Sequence, residues 1–106
     1  MSKIAALARS ATALNLSLTG IRVEEINDAK DAEKRVDTLL QDDLDVLILD
    51  ERYRAEFSER LADRLRKHKG PPLVVFCPAF EEEHSDVDAY LSAIIKPAVG
   101  FEIRLV

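Results

Sequence analysis

Asp50 is the residue whose setting most invites chemistry. It closes "LDVLILD" (44–50), an apolar run typical of a central strand covered on both faces, and Glu51, Arg52 and Arg54 follow at once. In an α/β sheet the carboxyl end of such a strand borders the crevice where ligands bind. A carboxylate there can accept a phosphoryl group if a divalent cation neutralises the developing charge. That cation needs further carboxylates at the end of the first strand. The matching stretch here, "ALARSAT" (6–12), holds no acid and places Arg9 instead. The fourth strand should end in a hydroxyl residue and ends in Cys77 and Pro78. Only ten residues follow Lys96, too few for a closing helix. Asp50 is therefore expected to cap a turn or to pair with Arg52 or Arg54.

A second candidate chemistry is thiolate attack. Cys77 with His68 or His84 would need a third group to orient the base and donors for an oxyanion. Cys77 sits within the apolar "PPLVVFCP" (71–78), which predicts a buried structural thiol. His68 lies beside Lys67 and Lys69 at a helix end, where the dipole favours cations. Gly20, Gly70 and Gly100 are isolated and form no phosphate-binding loop, so no nucleotide, flavin or other cofactor is expected. A single cysteine excludes a disulfide framework and a multi-cysteine metal site, and no metal ligand set is expected.

The elements that would position these residues follow from periodicity. "KIAALA" (3–8) predicts a first strand, although alanine is a poor strand former. "SATALNLSLTG" (10–20) predicts a short helix capped by Ser10 or Thr12 and ended by Gly20, with Leu14 and Leu18 on one face. "IRVEEI" (21–26) alternates as a half-buried strand at a sheet edge does. "NDAKDAEKRVDTLLQDD" (27–43) predicts a helix capped by Asp28 or Asn27, with Ala29, Ala32, Val36, Leu39 and Leu40 as its apolar stripe. "AEFSERLADRLRKHKG" (55–70) predicts another, with Phe57, Leu61 and Leu65 four apart and Gly70 as its end. "PPLVVFCP" predicts a second central strand. "SDVDAYLSAIIKP" (85–97) predicts a helix with Ser85 and Asp88 in capping-box positions, and "VGFEIRLV" (99–106) a last strand or docking tail.

Strands separated by helices make an α/β fold, a Rossmann-like (flavodoxin- or receiver-like) three-layer arrangement. It has a small parallel four-stranded sheet with helices on both faces, then a C-terminal helix and tail. Residues 1–84 are expected to form the core and residues 85–106 a mobile appendage of a single domain. With 106 residues, 47% hydrophobic and 33% charged, the chain suits one globular core and is not a disordered segment. No apolar run approaches the ~20 residues of a membrane helix, and the apolar stretch of "MSKIAALARS" (1–10) is too short for a signal peptide and reads as the first strand, so a cytoplasmic protein is expected. The net charge of −5 argues against a nucleic-acid partner. The basic cluster Arg52, Arg54, Arg60, Arg64, Arg66, Lys67 and Lys69 is interleaved with acids and reads mostly as a solvated helix face with pairs such as Glu56–Arg60. Arg52 and Arg54 precede that helix, at the rim where a partner protein could bind.

Four stretches, taken in order, resemble the F subunit of the V-type and A-type rotary ATPases. They are "LSLTGI" (16–21), "VLILDER" (46–52), "RKHKGPPLVVFCP" (66–78) and "IIKPAVGFEIRL" (94–105). The first loop departs from the family pattern, keeping only Thr12. The resemblance implies a non-catalytic member of the central stalk that binds the coiled coil of the stalk's D subunit. Through it the chain would meet the A, B and C/d subunits, and would touch the membrane only indirectly, as a peripheral part of the complex. It also implies that the C-terminal segment, about Ser85 to Val106, modulates ATP hydrolysis. The contact residues expected are Leu18, Arg22, Arg52, Phe101 and Arg104, an apolar anchor beside an arginine being a common hot-spot composition. For Leu18 the competing expectation is burial in the core. The alternative function is a degenerate receiver-like signalling module.

Overall fold

The computed structural model describes residues 3–79. Four parallel strands lie in the order β2-β1-β3-β4: β1 (Ile4–Ala8), β2 (Arg22–Glu25), β3 (Val46–Asp50) and β4 (Leu73–Cys77). Helix α1 (Ser10–Ser17) joins β1 to β2, α2 (Ala29–Leu39) joins β2 to β3, and α3 (Glu59–Lys67) joins β3 to β4. The expected α/β architecture is thus present, with its parallel four-stranded sheet. The expected boundary at residue 84, the helix from Ser85 and the tail lie outside the described residues.

The strand pleat divides the core in two. Ala5 and Leu7 of β1 and Leu47 and Leu49 of β3 face α2 and α3, meeting Ala32, Val36, Leu39 and Leu61. Ala6 and Ala8 of β1 and Val46 and Ile48 of β3 face α1, meeting Ala13 and Leu16. The alanines that weaken β1 as a strand by propensity have a packing reason. Their small side chains let the eight-residue α1 lie close to the sheet with only a few apolar residues of its own. All five residues of β3 are buried, as its unbroken apolar run predicts.

Two expectations about strand position come out differently. β2 is an edge strand, as its alternation predicts. β4, expected to be central, lies at the other edge among the described residues. Its side chains are mostly half-buried, and Leu73 is exposed. An apolar run shows that a strand carries side chains to bury, and helices on one face can meet that need without a further strand.

The helix starts also differ from expectation. α1 is capped by neither Ser10 nor Thr12: Arg9 holds the N-cap position and its side chain makes no cap. Asn27 instead reaches over from the end of β2, accepting from the backbone N–H of Ser10 at 3.1 Å. α2 is capped by Asp28, which accepts from the Lys30 N–H at 2.7 Å. α3 starts at Glu59 rather than Ala55, because Ser58 accepts from the Leu61 N–H and fixes the entry there. Phe57 packs in the core before the helix begins. Gly20 (φ 84°) and Gly70 (φ 79°) follow α1 and α3 in the left-handed region that lets the chain turn off a helix.

The predicted i,i+4 pair Glu56–Arg60 is not formed. Glu56 pairs with Arg9, and Arg60 reaches across to α2, where it donates to Asp37 at 2.7 Å and Glu33 at 3.3 Å. Arg64 donates to Asp37 at 2.6 Å, so the basic face of α3 is partly a strap to α2. Arg60 is exposed and Arg64 half-buried, and such surface pairs contribute under ~1 kcal/mol each.

Candidate functional site

Because the strands are parallel, their carboxyl ends share one rim, and Asp50 is at its centre. The carboxylate is buried completely. A 3-10 turn (Glu51–Tyr53) follows immediately and doubles the chain back over it. The Arg52 backbone N–H donates to Asp50 Oδ1 at 2.9 Å, and the Arg9 N–H donates to Oδ2 at 3.0 Å. The Arg52 guanidinium adds Nε to Oδ1 at 3.0 Å and Nη2 to Oδ2 at 2.7 Å. Burial works against the charge on Asp50, but the Arg52 guanidinium and the two backbone N–H groups outweigh it. The carboxyl is held below the usual carboxylate range. Both sequence expectations for Asp50 are met, since it caps the turn and pairs with Arg52.

The network extends outward from there. Arg52 Nη2 also donates to the hydroxyl of the buried Thr12 at 3.1 Å. Tyr53 is fully buried, and its hydroxyl donates to the carbonyl of Ile26 at the end of β2. Burial pushes the Tyr53 phenol upward, so it stays a neutral donor. Its ring stacks on Phe57 at 5.6 Å, and the Arg9 guanidinium lies 5.5 Å from the ring centre. Arg9 further donates to the Asn27 carbonyl at 3.2 Å and pairs with Glu56. Sequence reading found Asp50, Arg52 and Thr12 but missed Tyr53 and Asn27. An aromatic three residues after a strand-ending acid was the available signal for Tyr53.

Chemically, this rim is already satisfied from within. Two N–H groups and a guanidinium occupy the lone pairs that a cation or a phosphoryl group would use. Among the described residues no group of three His, Cys, Asp or Glu side chains is gathered as a metal would need. Cys77 pairs in register with Asp50 and is buried, so desolvation first and the Asp50 charge second push its thiol up to about 12. It is a packed thiol and a poor nucleophile. His68 caps the end of α3, and its Nε2 lies 2.8 Å from the Pro72 carbonyl oxygen. His84 lies outside the described residues.

Of the predicted contact residues that are described, Leu18 and Arg22 lie on the α1–β2 side and Arg52 at the rim. Arg52 is committed to Asp50 and Thr12. Leu18 is not in the core: it is 67% exposed, beside Leu14 at 64%, on the outer side of α1. Leu16 takes the buried position that the spacing of Leu14 and Leu18 left between them. Arg22, exposed at the start of β2, lies 3.4 Å from Glu24 at the opposite end of the sheet from the rim. Phe101 and Arg104 lie outside the described residues.

A second concavity lies away from the rim. A groove of about 430 Å³ runs between α3 and the edge strand β4, lined by Arg54, Phe57, Ala62, Leu65, Val74 and Phe76, with Arg66 at its far end. Arg54 lies over the Phe76 ring at 4.2 Å. The groove presents a packing surface with two cations and no nucleophile.

Neither the rim nor the α3–β4 groove gathers a metal-binding cluster among the described residues. The model of the ATP synthase (F/14-kDa) subunit family matches residues 4–94. The chain belongs to this F-subunit family. The match spans all eight described elements. The chain is also similar to the sensory transduction protein LytT of Bacillus subtilis (strain 168). The two are 35% identical over 94 residues, which is 86% of this chain and 38% of LytT. The chain therefore spans less than half the length of that curated relative. Among the described residues, no helix of this F-subunit family member is long and apolar enough to cross a membrane.

Proposed function

We propose that the protein is a non-catalytic rotor component in the central stalk of a V/A-type rotary ATPase, where it binds the coiled coil of the D subunit. The observation that carries this reading is the F-subunit match across residues 4–94. The internally neutralised rim supports it. A domain whose one acid buried among the described residues is held by its own backbone and Arg52 has the design of a rigid adaptor. Exposed Leu18 and Arg22 on the α1–β2 side, with Phe101 and Arg104 of the tail, are the proposed contacts with the D, A, B and C/d subunits. Arg52 serves them indirectly by fixing the rim. The protein acts in the cytoplasm, peripheral to the membrane through its complex.

Co-expression of the full chain with the D subunit tests the reading. A stable 1:1 complex on size exclusion is expected, and separate elution at micromolar concentrations would refute it. Residues 98–106 are proposed to modulate ATP hydrolysis. A complex assembled with a chain ending at residue 97 should hydrolyse ATP at a different rate, and an unchanged rate removes that role.

The similarity to LytT favours a second reading, a signalling module of receiver type. It predicts a phosphoryl mass increment on Asp50 with acetyl phosphate and magnesium. The hydrogen bonds on both Asp50 oxygens oppose that outcome.

A further inference from the structure

Helix α1 has little of its own to hold it. Its eight residues are fewer than the ~12–15 that an isolated helix needs in water. Of these, Thr12, Ala13 and Leu16 are buried, against the small alanines of β1 and against β3. Its first turn carries no acid, and its N-cap residue, Arg9, offers no side-chain cap. The helix start is held instead by a closed ring of hydrogen bonds with the turn after β2. The Arg9 guanidinium donates from Nε to the Asn27 carbonyl at 3.2 Å. The Asn27 side chain accepts in return from the Ser10 N–H and hydroxyl, each at 3.1 Å. The same guanidinium reaches a third connection, 47 positions along the chain, where Nη2 pairs with Glu56. It also lies 5.5 Å from the centre of the buried Tyr53 ring. Tyr53 donates to the Ile26 carbonyl, so the turn after β2 is gripped from two sides. On the main chain, the Arg9 N–H donates to Asp50 Oδ2 at 3.0 Å, and its carbonyl accepts from the Ala13 N–H at 2.8 Å.

We propose that Arg9 is a clasp that sets the pose of α1, and with it of Leu14 and Leu18, so that it acts on partner binding through the helix rather than by contact. The partner step rests on the rotor reading above; the clasp itself does not. A planar fork of N–H donors holds a carbonyl and a carboxylate at once while it lies against an aromatic ring, which the single ammonium of a lysine does not do. Without that fork, the turn at Asn27 loses the bond that fixes its backbone, and the Asn27 side chain loses its register on Ser10. The connections from β1 to α1, from β2 to α2 and from β3 to α3 then lose their common partner. α1 opens locally at small cost, because few apolar contacts hold it. β3, buried over all five residues, keeps its protection.

The test compares the full wild-type chain with Arg9→Ala, Arg9→Lys and Glu56→Gln by native-state amide exchange resolved to α1 and β3. Arg9→Ala should speed exchange of the α1 amides by about tenfold or more and leave β3 within about twofold. Arg9→Lys should recover part of the protection by meeting Glu56 alone. Glu56→Gln should lose part of it, although Glu56 lies outside α1. These two milder variants carry the comparison if Arg9→Ala does not fold. Unchanged exchange in α1, or an equal rise in α1 and β3, overturns the clasp, the second by making Arg9 a general stabiliser. Binding to the purified D subunit is then measured for Arg9→Ala, Leu18→Ala and the double variant. Each single change should weaken binding by about fivefold or more, and the double by less than the product, because both act through one contact. A wild-type chain that binds, with unaltered affinity in Arg9→Ala or with multiplicative losses in the double variant, overturns the positioning role and leaves the rotor reading standing. A wild-type chain that does not bind overturns the rotor reading, and the exchange rates still decide the clasp.

Discussion

The Asp50 rim and the α3–β4 groove are two regions of this fold built on opposite principles. At the rim every strong polar group has a partner inside the chain: the carboxylate has Arg52 and two backbone N–H groups, and the Tyr53 hydroxyl has Ile26. At the groove, apolar side chains of α3 and β4 lie between two arginines. A site that performs chemistry keeps a reactive group poised and undersatisfied. A site that binds keeps apolar surface to bury. The rim therefore stabilises the domain.

The comparison breaks most readily at Asp50. Asp50→Asn removes the anion and leaves the Arg52 guanidinium partly buried without its counter-charge, which costs about 3 kcal/mol. Urea unfolding measures it, and a loss under ~1 kcal/mol would show that the rim is not a structural hub. The same variant sharpens the acid behaviour. The Asp50 carboxyl is depressed in the folded state relative to an unfolded value of about 3.9. Its contribution is complete above that value and is lost as pH falls through the lower folded value. Wild-type stability should therefore decline below about pH 4, and Asp50→Asn should show a shallower decline over the same range.

Thr12→Val tests how far the hub extends. The change keeps the shape and removes an acceptor of the Arg52 guanidinium, so a loss of about 1 kcal/mol is expected, read by the same unfolding curves. The smallest stability effect belongs to the groove. Arg54→Glu with Arg66→Glu should stay within about 0.5 kcal/mol of wild type, because both side chains are on the surface. A large loss there would make the arginines structural and erase the contrast between the two regions.

Much of this was legible in the chain itself. β3 could be read from an unbroken apolar run, α2 from the spacing of Ala32, Val36 and Leu39, and the cap of α2 from Asp28. These signals are local, because a helix or strand announces which residues it must bury. The Asp50–Arg52 pair was legible for the same reason, lying two residues apart at a strand end. Asn27 capping α1 from 17 residues away was not, nor was Tyr53 reaching Ile26 across 27. Leu18 misled because four-residue spacing marks a face of a helix without saying which face meets the sheet.

Sequence alone thus determined the order and type of the described strands and α-helices, the burial of β3 and Cys77, and the lack of an acid beside Arg9 at the end of β1. Only the tertiary structure decided that β4 is an edge strand among the described residues, that Arg9 and Arg52 converge on Asp50, and that Leu14 and Leu18 face outward. The first set depends on near neighbours along the chain. The second depends on parallel pairing, which brings residues some 40 positions apart to one rim and no local pattern can encode.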